Sequence, residues 1–166
     1  MQKVLIIMGS DSDLPVMKAS CSFLEEIGLE YEVRISSAHR VPEKTAALAQ
    51  NAAASGFGVI IAAAGGAAHL AGVIAAQTTL PVIGVPIRTE GPGGLDSLYS
   101  IVQMPPGIPV ATVAINGAKN AAILAAQILA VADRELTRRL LDFKAKMAQE
   151  VEKKDQRLQE TGYINY

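Results

Sequence analysis

The sequence predicts an α/β fold in which helices cover both faces of a mostly parallel β-sheet. Short, almost wholly apolar segments alternate along the chain with segments of helical periodicity. The apolar segments do not alternate polar with apolar residues, which is typical of strands that are buried on both faces. The chain has 166 residues, half of them hydrophobic, so it is long enough for one domain with a substantial core.

The first half of the chain predicts three strands that each end at glycine or polar residues. The strands are predicted over 4–8, 31–35 and 58–63. The helices that follow them are predicted over 14–27, 43–54 and 69–77. Pro15 suits the first turn of the first helix, and Gly28 ends that helix.

The second half continues the alternation of strand and helix. It predicts strands over 81–87 and 110–115, and helices over 95–103 and 120–132. A loop rich in glycine and proline precedes the first of these helices. No repeat, low-complexity stretch or linker divides the chain, so we expect a single domain over 1–166.

The last segment, 133–166, differs in kind because it predicts a long charged helix with a narrow apolar stripe. The stripe consists of Leu136, Leu140, Phe143, Met147 and Val151. Such a helix either lies on its own domain or packs against another subunit. Composition leaves both interpretations open, for the helix and for the tail at 163–166.

Charge is concentrated in this segment. Residues 133–160 hold eight of the fifteen Lys/Arg residues and seven of the sixteen Asp/Glu residues. The first 132 residues are far poorer in charge than the surface of a monomer of this size. We therefore expect part of that surface to be buried against other copies of the chain, which predicts a homo-oligomer.

Bulk properties exclude several classes of protein. The net charge of −1 provides no basic face for nucleic acid. Every apolar run is interrupted before the roughly 20 residues of a membrane span, and the N-terminal run becomes polar too soon for a signal peptide. The single cysteine, Cys21, has no partner for an internal disulfide, as is usual in a reducing compartment. These properties predict a soluble cytoplasmic protein without a nucleic-acid or membrane partner.

Polar residues gather where the first three predicted strands end. In a doubly wound sheet, ligands bind at the carboxyl ends of the strands. The three clusters span 9–13, 37–40 and 65–70, and each of the two histidines, His39 and His69, lies in one of them. This coincidence predicts a binding site at that edge of the sheet.

The first cluster, Gly9-Ser10-Asp11-Ser12-Asp13, has the chemistry of an anion site at a helix start. Glycine allows close approach to the backbone, the serines offer hydroxyl groups, and Asp13 accepts from ribose hydroxyls or from the helix itself. The alternative is that Ser12 or Asp13 is simply a helix N-cap. The spacings of the dinucleotide and Walker motifs are both absent, which disfavours dinucleotides and ATP.

The second cluster, Ser37-Ala38-His39-Arg40, combines phosphate binding with proton transfer. Arg40 offers bidentate donors that suit a phosphate, and Ser37 adds another donor. His39 is the best candidate in the chain for proton transfer near neutral pH. The alternatives are a surface arginine and a hydrogen-bonded loop histidine.

The third cluster places Gly65 and Gly66 before His69 and Leu70. The glycines permit the close approach of a planar ring, and His69 either contacts the ligand or is satisfied locally at a helix start. Two histidines and one cysteine are a poor metal set, and Cys21 is expected in the core rather than as a nucleophile. The residues predict a phosphorylated small-molecule ligand, acid–base chemistry by histidine, and no metal.

Several longer motifs follow one another along the chain. Met-Gly-Ser-x-Ser-Asp at 8–13, Ser-Ala-His-Arg at 37–40 and Ala-Gly-Gly-Ala-Ala-His-Leu at 64–70 are similar to motifs of one known family, the class I N5-carboxyaminoimidazole ribonucleotide mutases of purine biosynthesis. So are Leu-Pro-Val-Ile-Gly-Val-Pro at 80–86, Asp-Ser-Leu-Tyr-Ser-Ile-Val-Gln-Met-Pro at 96–105 and Asn-Ala-Ala at 120–122. The resemblance covers roughly residues 3–132 in family order.

The resemblance implies a flavodoxin-like three-layer fold and a homo-octamer whose C-terminal helices, 133–166 here, pack on neighbouring subunits. It also implies a cofactor-independent isomerisation on the route to IMP. The carboxylate on the exocyclic nitrogen of the ribonucleotide moves to ring carbon 4 by decarboxylation and recarboxylation.

The resemblance also implies a set of site residues. His39 matches the catalytic histidine of the family. The implied substrate-binding residues are Ser10, Asp13, Ser37, Arg40, Gly65, His69 and Leu70. Among these, Arg40 and Ser37 are assigned to the phosphate and Asp13 to the ribose. The imidazole and carboxylate end is assigned to Gly65, His69 and Leu70. The segment 96–105 is assigned to a site wall shared between subunits.

Two segments depart from the family's usual pattern. Ala63 stands where glycine is usual, and Ala71-Gly72-Val73 stands for Pro-Gly-Met. Two other functions stay open: a carboxylase that uses free carbon dioxide with aminoimidazole ribonucleotide, and a non-catalytic protein that binds a phosphorylated ligand. The related carboxylases lack the Gly-Gly-Ala-Ala-His run, so His69 favours the mutase.

Overall fold

A five-stranded parallel sheet lies between two layers of helices in the computed structural model, which describes residues 2–166. The strands are β1 (Lys3–Met8), β2 (Tyr31–Ile35), β3 (Phe57–Gly65), β4 (Val82–Ile87) and β5 (Ala111–Thr112). The helices are α1 (Leu14–Ile27), α2 (Pro42–Asn51), α3 (Leu70–Ala75), α4 (Leu95–Val102), α5 (Ala118–Ala130) and α6 (Arg134–Thr161). The strand order is β2-β1-β3-β4-β5, the flavodoxin-like order, so the predicted fold class is confirmed.

The central strands are apolar because both of their faces are covered. Alternate residues of β1 point into two separate cores, with Val4 and Ile6 in one and Leu5 and Ile7 in the other. The first core lies against α1, α5 and the start of α6, and the second lies against α2, α3 and α4. The sequence therefore shows continuous apolar runs rather than an alternating pattern.

The register of the sheet places the polar clusters side by side. Met8 at the end of β1 pairs with Ile35 at the end of β2 and with Ala63 near the end of β3. Gly65, the last residue of β3, pairs with Ile87, the last residue of β4. The segments that follow these four strands consequently emerge at one edge, around the switch point between β1 and β3.

The fifth strand is the clearest departure from the predicted elements, since only Ala111 and Thr112 form it rather than 110–115. The chain still runs beside β4, because Val113 donates to the Gly84 carbonyl at 3.1 Å and Asn116 to the Pro86 carbonyl at 2.8 Å. Pro86 presents its carbonyl to this side but has no N–H to donate, so the ladder is interrupted there. The strand at 31–35 and the helix at 14–27 have the predicted bounds, and the other predicted elements are present with shifted ends.

The first part of the last helix packs on its own domain, whereas the second part is exposed. Asp133 caps α6 by accepting from the Leu136 N–H at 3.0 Å, and Leu136 and Leu140 are buried. Phe143 meets Phe23 of α1 edge to face, with ring centroids 5.1 Å apart. From residue 144 onward every residue is exposed except Leu158, which is half-buried. The first half of the stripe thus lies on its own domain, and the contact of the second half with another subunit stays a prediction.

Over residues 2–166, each helix is either too short or too polar to span a bilayer.

Candidate functional site

A cavity of about 630 Å³ opens at the carboxyl ends of β1 to β4. This volume is in the range of small-molecule sites. Seven of the eight predicted site residues line the cavity, and the eighth, His69, is hydrogen-bonded to one of them. We refer to 9–13 and 37–40 as the polar arm of the cavity and to 65–70 as the glycine arm.

The first part of the polar arm is a 3₁₀ turn, Asp11–Asp13, that is capped by its own side chains. The Ser10 hydroxyl accepts from the Ser12 N–H at 3.3 Å, and the Asp13 carboxylate accepts from the Ser10 N–H at 3.2 Å. These reciprocal bonds form a capping box. Ser10 is the N-cap of this turn, and Asp13 occupies the N-cap position of α1 without a side-chain hydrogen bond to that helix, so the N-cap alternative holds for Asp13 by position and not for Ser12. All three side chains still line the cavity.

Asp13 is a buried carboxylate at the cavity wall, with a relative exposure of 5%. Burial raises the pKa of the Asp13 carboxyl, and the hydrogen bonds from the Ser10 N–H and the Ser12 hydroxyl oppose this rise. A carboxylate held at such a wall has lost water that a ligand's hydroxyl groups can replace. This environment suits the predicted role of accepting from ribose.

The second part of the polar arm is tied back to the first by Arg40. One N–H of its guanidinium donates to the Gly9 carbonyl at 3.1 Å, and its backbone N–H donates to the Ser37 hydroxyl at 3.3 Å. A guanidinium has five N–H donors, so this anchored side chain keeps donors for an anion in the cavity. Arg40 is exposed, as the surface-arginine alternative expects, and it also lines the cavity, so its role in binding stays a prediction.

His39 and His69 join the two arms. The Nε2 atom of His39 is 2.9 Å from the Nδ1 atom of His69, and the two rings are nearly perpendicular, at 88°. One of the facing nitrogens donates and the other accepts, so a single proton lies between them. The sequence predicted a position for each histidine but not their contact, which no spacing along the chain would indicate.

The glycine arm contributes backbone and small side chains. Gly66 has a φ of +65°, a conformation that favours glycine, and two local bonds follow it: Ala68 to the Gly66 carbonyl and His69 to the Ala67 carbonyl. Leu70 begins α3 and is buried. These short turns carry the chain from the end of β3 to the imidazole of His69.

Sequence reasoning missed the cavity residues at the end of β4. Arg88 and Thr89 both line the cavity, so a second arginine borders it besides Arg40. The Thr89 hydroxyl donates to the Asp96 carboxylate at 2.9 Å, which fixes the start of α4 beside the site. The signal was present, because these residues follow the fourth apolar strand just as the three polar clusters follow the first three.

The described residues, 2–166, contain no group of three or more His, Cys, Asp and Glu side chains that would hold a metal ion. Cys21 lies in α1, where it packs partly against the first core. Burial raises the pKa of the Cys21 thiol. The location of Cys21 confirms that it belongs to the packing of α1 rather than to the cavity, whereas the absence of a cofactor requirement stays a prediction.

Residues 3–150 match the model of the family described as AIR carboxylase. The chain belongs to the AIR carboxylase family. Its polar and glycine arms both lie inside the matched region. The family predicted from the sequence motifs is therefore confirmed.

Members of the AIR carboxylase family with curated names are similar to nearly the whole chain. An N5-carboxyaminoimidazole ribonucleotide mutase of Thermotoga maritima is 58% identical over 166 residues, which are 100% of this chain and 97% of the relative. A phosphoribosylaminoimidazole carboxylase of Saccharomyces cerevisiae is 53% identical over 161 residues, which are 97% of this chain but 28% of the yeast protein. The crystal structure of Treponema denticola PurE superposes with a TM-score of 0.86 at 32% identity, covering 93% of this chain and 97% of that chain.

Proposed function

We propose that this protein is an N5-carboxyaminoimidazole ribonucleotide mutase, which converts its substrate to 4-carboxy-5-aminoimidazole ribonucleotide in purine biosynthesis. One observation carries the proposal: a histidine pair and an anchored arginine meet in one cavity at the switch point of the sheet. The identity of 58% with a mutase over the full chain supports the same conclusion.

The polar arm binds the phosphoribosyl part of the substrate in this proposal. Arg40 and Ser37 receive the phosphate, because a guanidinium presents paired donors to phosphate oxygens. Ser10 adds a hydroxyl at the start of the 3₁₀ turn, and the buried Asp13 carboxylate accepts from the ribose. The aminoimidazole ring then extends toward the glycine arm, where Gly65 and Leu70 line the cavity.

The chemistry needs one group that gives a proton and takes one back. The bond between the exocyclic nitrogen and the carboxylate carbon breaks, carbon dioxide leaves, and His39 protonates the nitrogen. Ring carbon 4 then attacks carbon dioxide, a carbon–carbon bond forms, and the proton of carbon 4 passes to His39. Atoms and protons balance, so the step is an isomerisation without a cofactor. His69 fixes the orientation of His39 through their 2.9 Å hydrogen bond.

Two assays of the purified protein test the proposal against the other functions. A mutase converts N5-carboxyaminoimidazole ribonucleotide rapidly without added bicarbonate. Rapid conversion of only aminoimidazole ribonucleotide plus bicarbonate would instead support a carboxylase, the name carried by the yeast relative. Tight binding of the product nucleotide without turnover in either assay would support a non-catalytic binding protein.

We also propose that the protein is a homo-oligomer, as in the octamer implied by the family. Large apolar side chains are exposed on α4, with Tyr99 at 60% and Leu95 at 50%, and on the second half of α6, with Val151 at 65%. Exposed apolar faces of this kind are typical of subunit interfaces. In this arrangement α4 forms part of a site wall shared between subunits, and the tail at 163–166 reaches a neighbour. Sedimentation at micromolar concentration tests this, and a monomeric mass would contradict it.

We infer a cytoplasmic location as well, because the proposed substrate and product are highly charged nucleotides that do not cross a membrane unaided. Cell fractionation with an antibody to the protein tests this inference, and recovery in a membrane or secreted fraction would contradict it.

A further inference from the structure

Ser97 is a fully buried hydroxyl between the two strand ends that flank the cavity. It lies in the first turn of α4, and its relative exposure is 0%. Its Oγ donates to the Ile87 carbonyl at 2.8 Å and accepts from the Gly66 N–H at 2.9 Å. A serine hydroxyl has one donor and two acceptor sites, so it makes both bonds at once.

These two bonds clamp the glycine arm to β4. Ile87 and Gly65 are paired at the ends of their strands, and the sheet ladder goes no further. Beyond that point the N–H of Gly66 is held by a side chain of α4. The Ser100 hydroxyl also approaches the Gly66 carbonyl, at 3.4 Å. The turn that leads to His69 is thus fixed by α4 from outside the glycine arm.

We propose that Ser97 is a positioning residue for the reaction: it holds the glycine arm in the shape that keeps carbon dioxide beside the substrate and His69 against His39. This inference rests on the proposed mutase function and adds a residue to it. The predicted reaction releases carbon dioxide inside the site, so the site wall must stay closed until recapture. Gly65, Gly66 and Ala67 form that wall, and Ser97 touches no substrate.

Loss of the Ser97 hydroxyl should allow carbon dioxide to escape from the site before ring carbon 4 recaptures it. In Ser97→Ala the Gly66 N–H and the Ile87 carbonyl lose their shared partner, and the turn that they fix can shift. We expect the fraction of consumed substrate that appears as free aminoimidazole ribonucleotide to rise at least several-fold. We expect kcat to fall by about 10- to 100-fold, as for a misplaced reacting geometry. KM should change by less than about threefold, since the polar arm is intact.

Ser20 provides a matched control. It is also fully buried, and its hydroxyl donates to the Ala118 carbonyl at 2.6 Å, joining α1 to α5 on the opposite face of the sheet. Ser20→Ala removes a buried hydroxyl-to-carbonyl bond at a residue that does not line the cavity. Both variants are expected to lose stability, but only Ser97→Ala should change the ratio of product to free aminoimidazole ribonucleotide. An enzyme-free blank corrects this ratio for spontaneous loss of carbon dioxide from the substrate.

Hydrogen–deuterium exchange supplies a readout that does not depend on turnover. The peptide covering 64–70 should exchange faster in Ser97→Ala than in the wild type, and it should be unchanged in Ser20→Ala. If Ser97→Ala does not fold, Ser97→Cys takes its place, because it replaces the hydroxyl oxygen by one sulfur atom, which fills the space but is a weak donor and acceptor.

The outcomes separate this inference from the proposed function. A wild-type protein that does not convert N5-carboxyaminoimidazole ribonucleotide contradicts the proposed function itself. In a second outcome the wild type is active while the Ser97 variant keeps the wild-type ratio of product to free aminoimidazole ribonucleotide and the wild-type hydrogen–deuterium exchange of 64–70. That result overturns the role of Ser97 and leaves the proposed function in place. An equal rise in free aminoimidazole ribonucleotide in Ser20→Ala would also overturn the role of Ser97, because the effect would then follow from a general loss of stability.

Discussion

The two arms of the cavity are built in opposite ways. The polar arm carries its chemistry in side chains that bond to the backbone of the same arm, since the Asp13 carboxylate accepts from the Ser10 N–H and the Arg40 guanidinium donates to the Gly9 carbonyl. The glycine arm has few polar side chains of its own, and it is held from outside by Ser97 of α4. The first arm is thus defined by which groups it presents, and the second by the shape of its backbone.

This difference predicts that substitutions in the two arms have different kinds of effect. Changes in the polar arm should alter ligand binding or proton transfer and leave the fold in place. Changes in the glycine arm should act through backbone geometry. The histidine pair is the one place where both effects meet, because each arm contributes one ring.

The largest effect is expected for His39→Asn. Turnover of N5-carboxyaminoimidazole ribonucleotide should fall by about 10²- to 10⁴-fold, because general acid–base catalysis contributes this much. Calorimetry should show that the product nucleotide still binds, since the polar arm keeps its anion donors.

His69→Asn is the matched change on the other side of the same hydrogen bond. It should lose less activity, because His69 orients the proton-transfer group and is not that group. A larger loss of activity in His69→Asn than in His39→Asn would instead identify His69, in the glycine arm, as the proton-transfer group.

The next effect is expected for Arg40→Ala, which should weaken nucleotide binding. Hydrogen bonds to charged groups contribute about 1.5–3 kcal/mol, which corresponds to roughly a 10- to 100-fold increase in Kd. The value of kcat at saturation should change much less. Arg88→Ala serves as the control, because Arg88 is the other arginine that lines the cavity. The assignment of phosphate to the polar arm fails if Arg88→Ala weakens binding more than Arg40→Ala.

A smaller effect is expected for Gly66→Ala, which tests the backbone geometry of the glycine arm. Its φ of +65° costs an alanine about 1–2 kcal/mol, although a Cβ there would meet no atom within 4 Å. Gly56, before β3 at the opposite edge of the sheet, has a φ of +85° and is the control. Urea unfolding should show similar losses for both variants, and turnover should fall only for Gly66→Ala. Equal turnover in the Gly66 and Gly56 variants would mean that the backbone geometry of the glycine arm does not affect catalysis.

The smallest effect is expected for the pH dependence of stability in Asp13→Asn. Burial raises the folded-state pKa of Asp13 above its value of about 3.9 in an unfolded chain. The wild type therefore has a stabilising contribution below the unfolded pKa that is lost as pH rises through the folded pKa. Asparagine does not titrate, so the variant should gain stability relative to the wild type from about pH 4 upward. A relative stability that is constant or falls across this range would contradict the cost of the buried carboxylate.

The sequence was most informative where local chemistry decides the structure. Continuous apolar runs identified the central strands. The rule that ligands bind at the carboxyl ends of strands predicted that Ser10, His39 and Gly65 lie at one edge of the sheet. The length of β5 was missed, because the effect of Pro86 depends on which side of the strand its carbonyl faces. The contact of His39 with His69 and the bonds of Ser97 were missed for a related reason, since they join side chains distant in sequence whose approach depends on register and packing.

A crystal structure of the protein with its product nucleotide would test the site most directly. We predict the phosphate within hydrogen-bond distance of Arg40 and Ser37, the ribose hydroxyls against Asp13, and the imidazole ring between His39 and the glycine arm. A nucleotide that binds elsewhere on the chain, or whose ring lies remote from both histidines, would contradict the proposed mechanism.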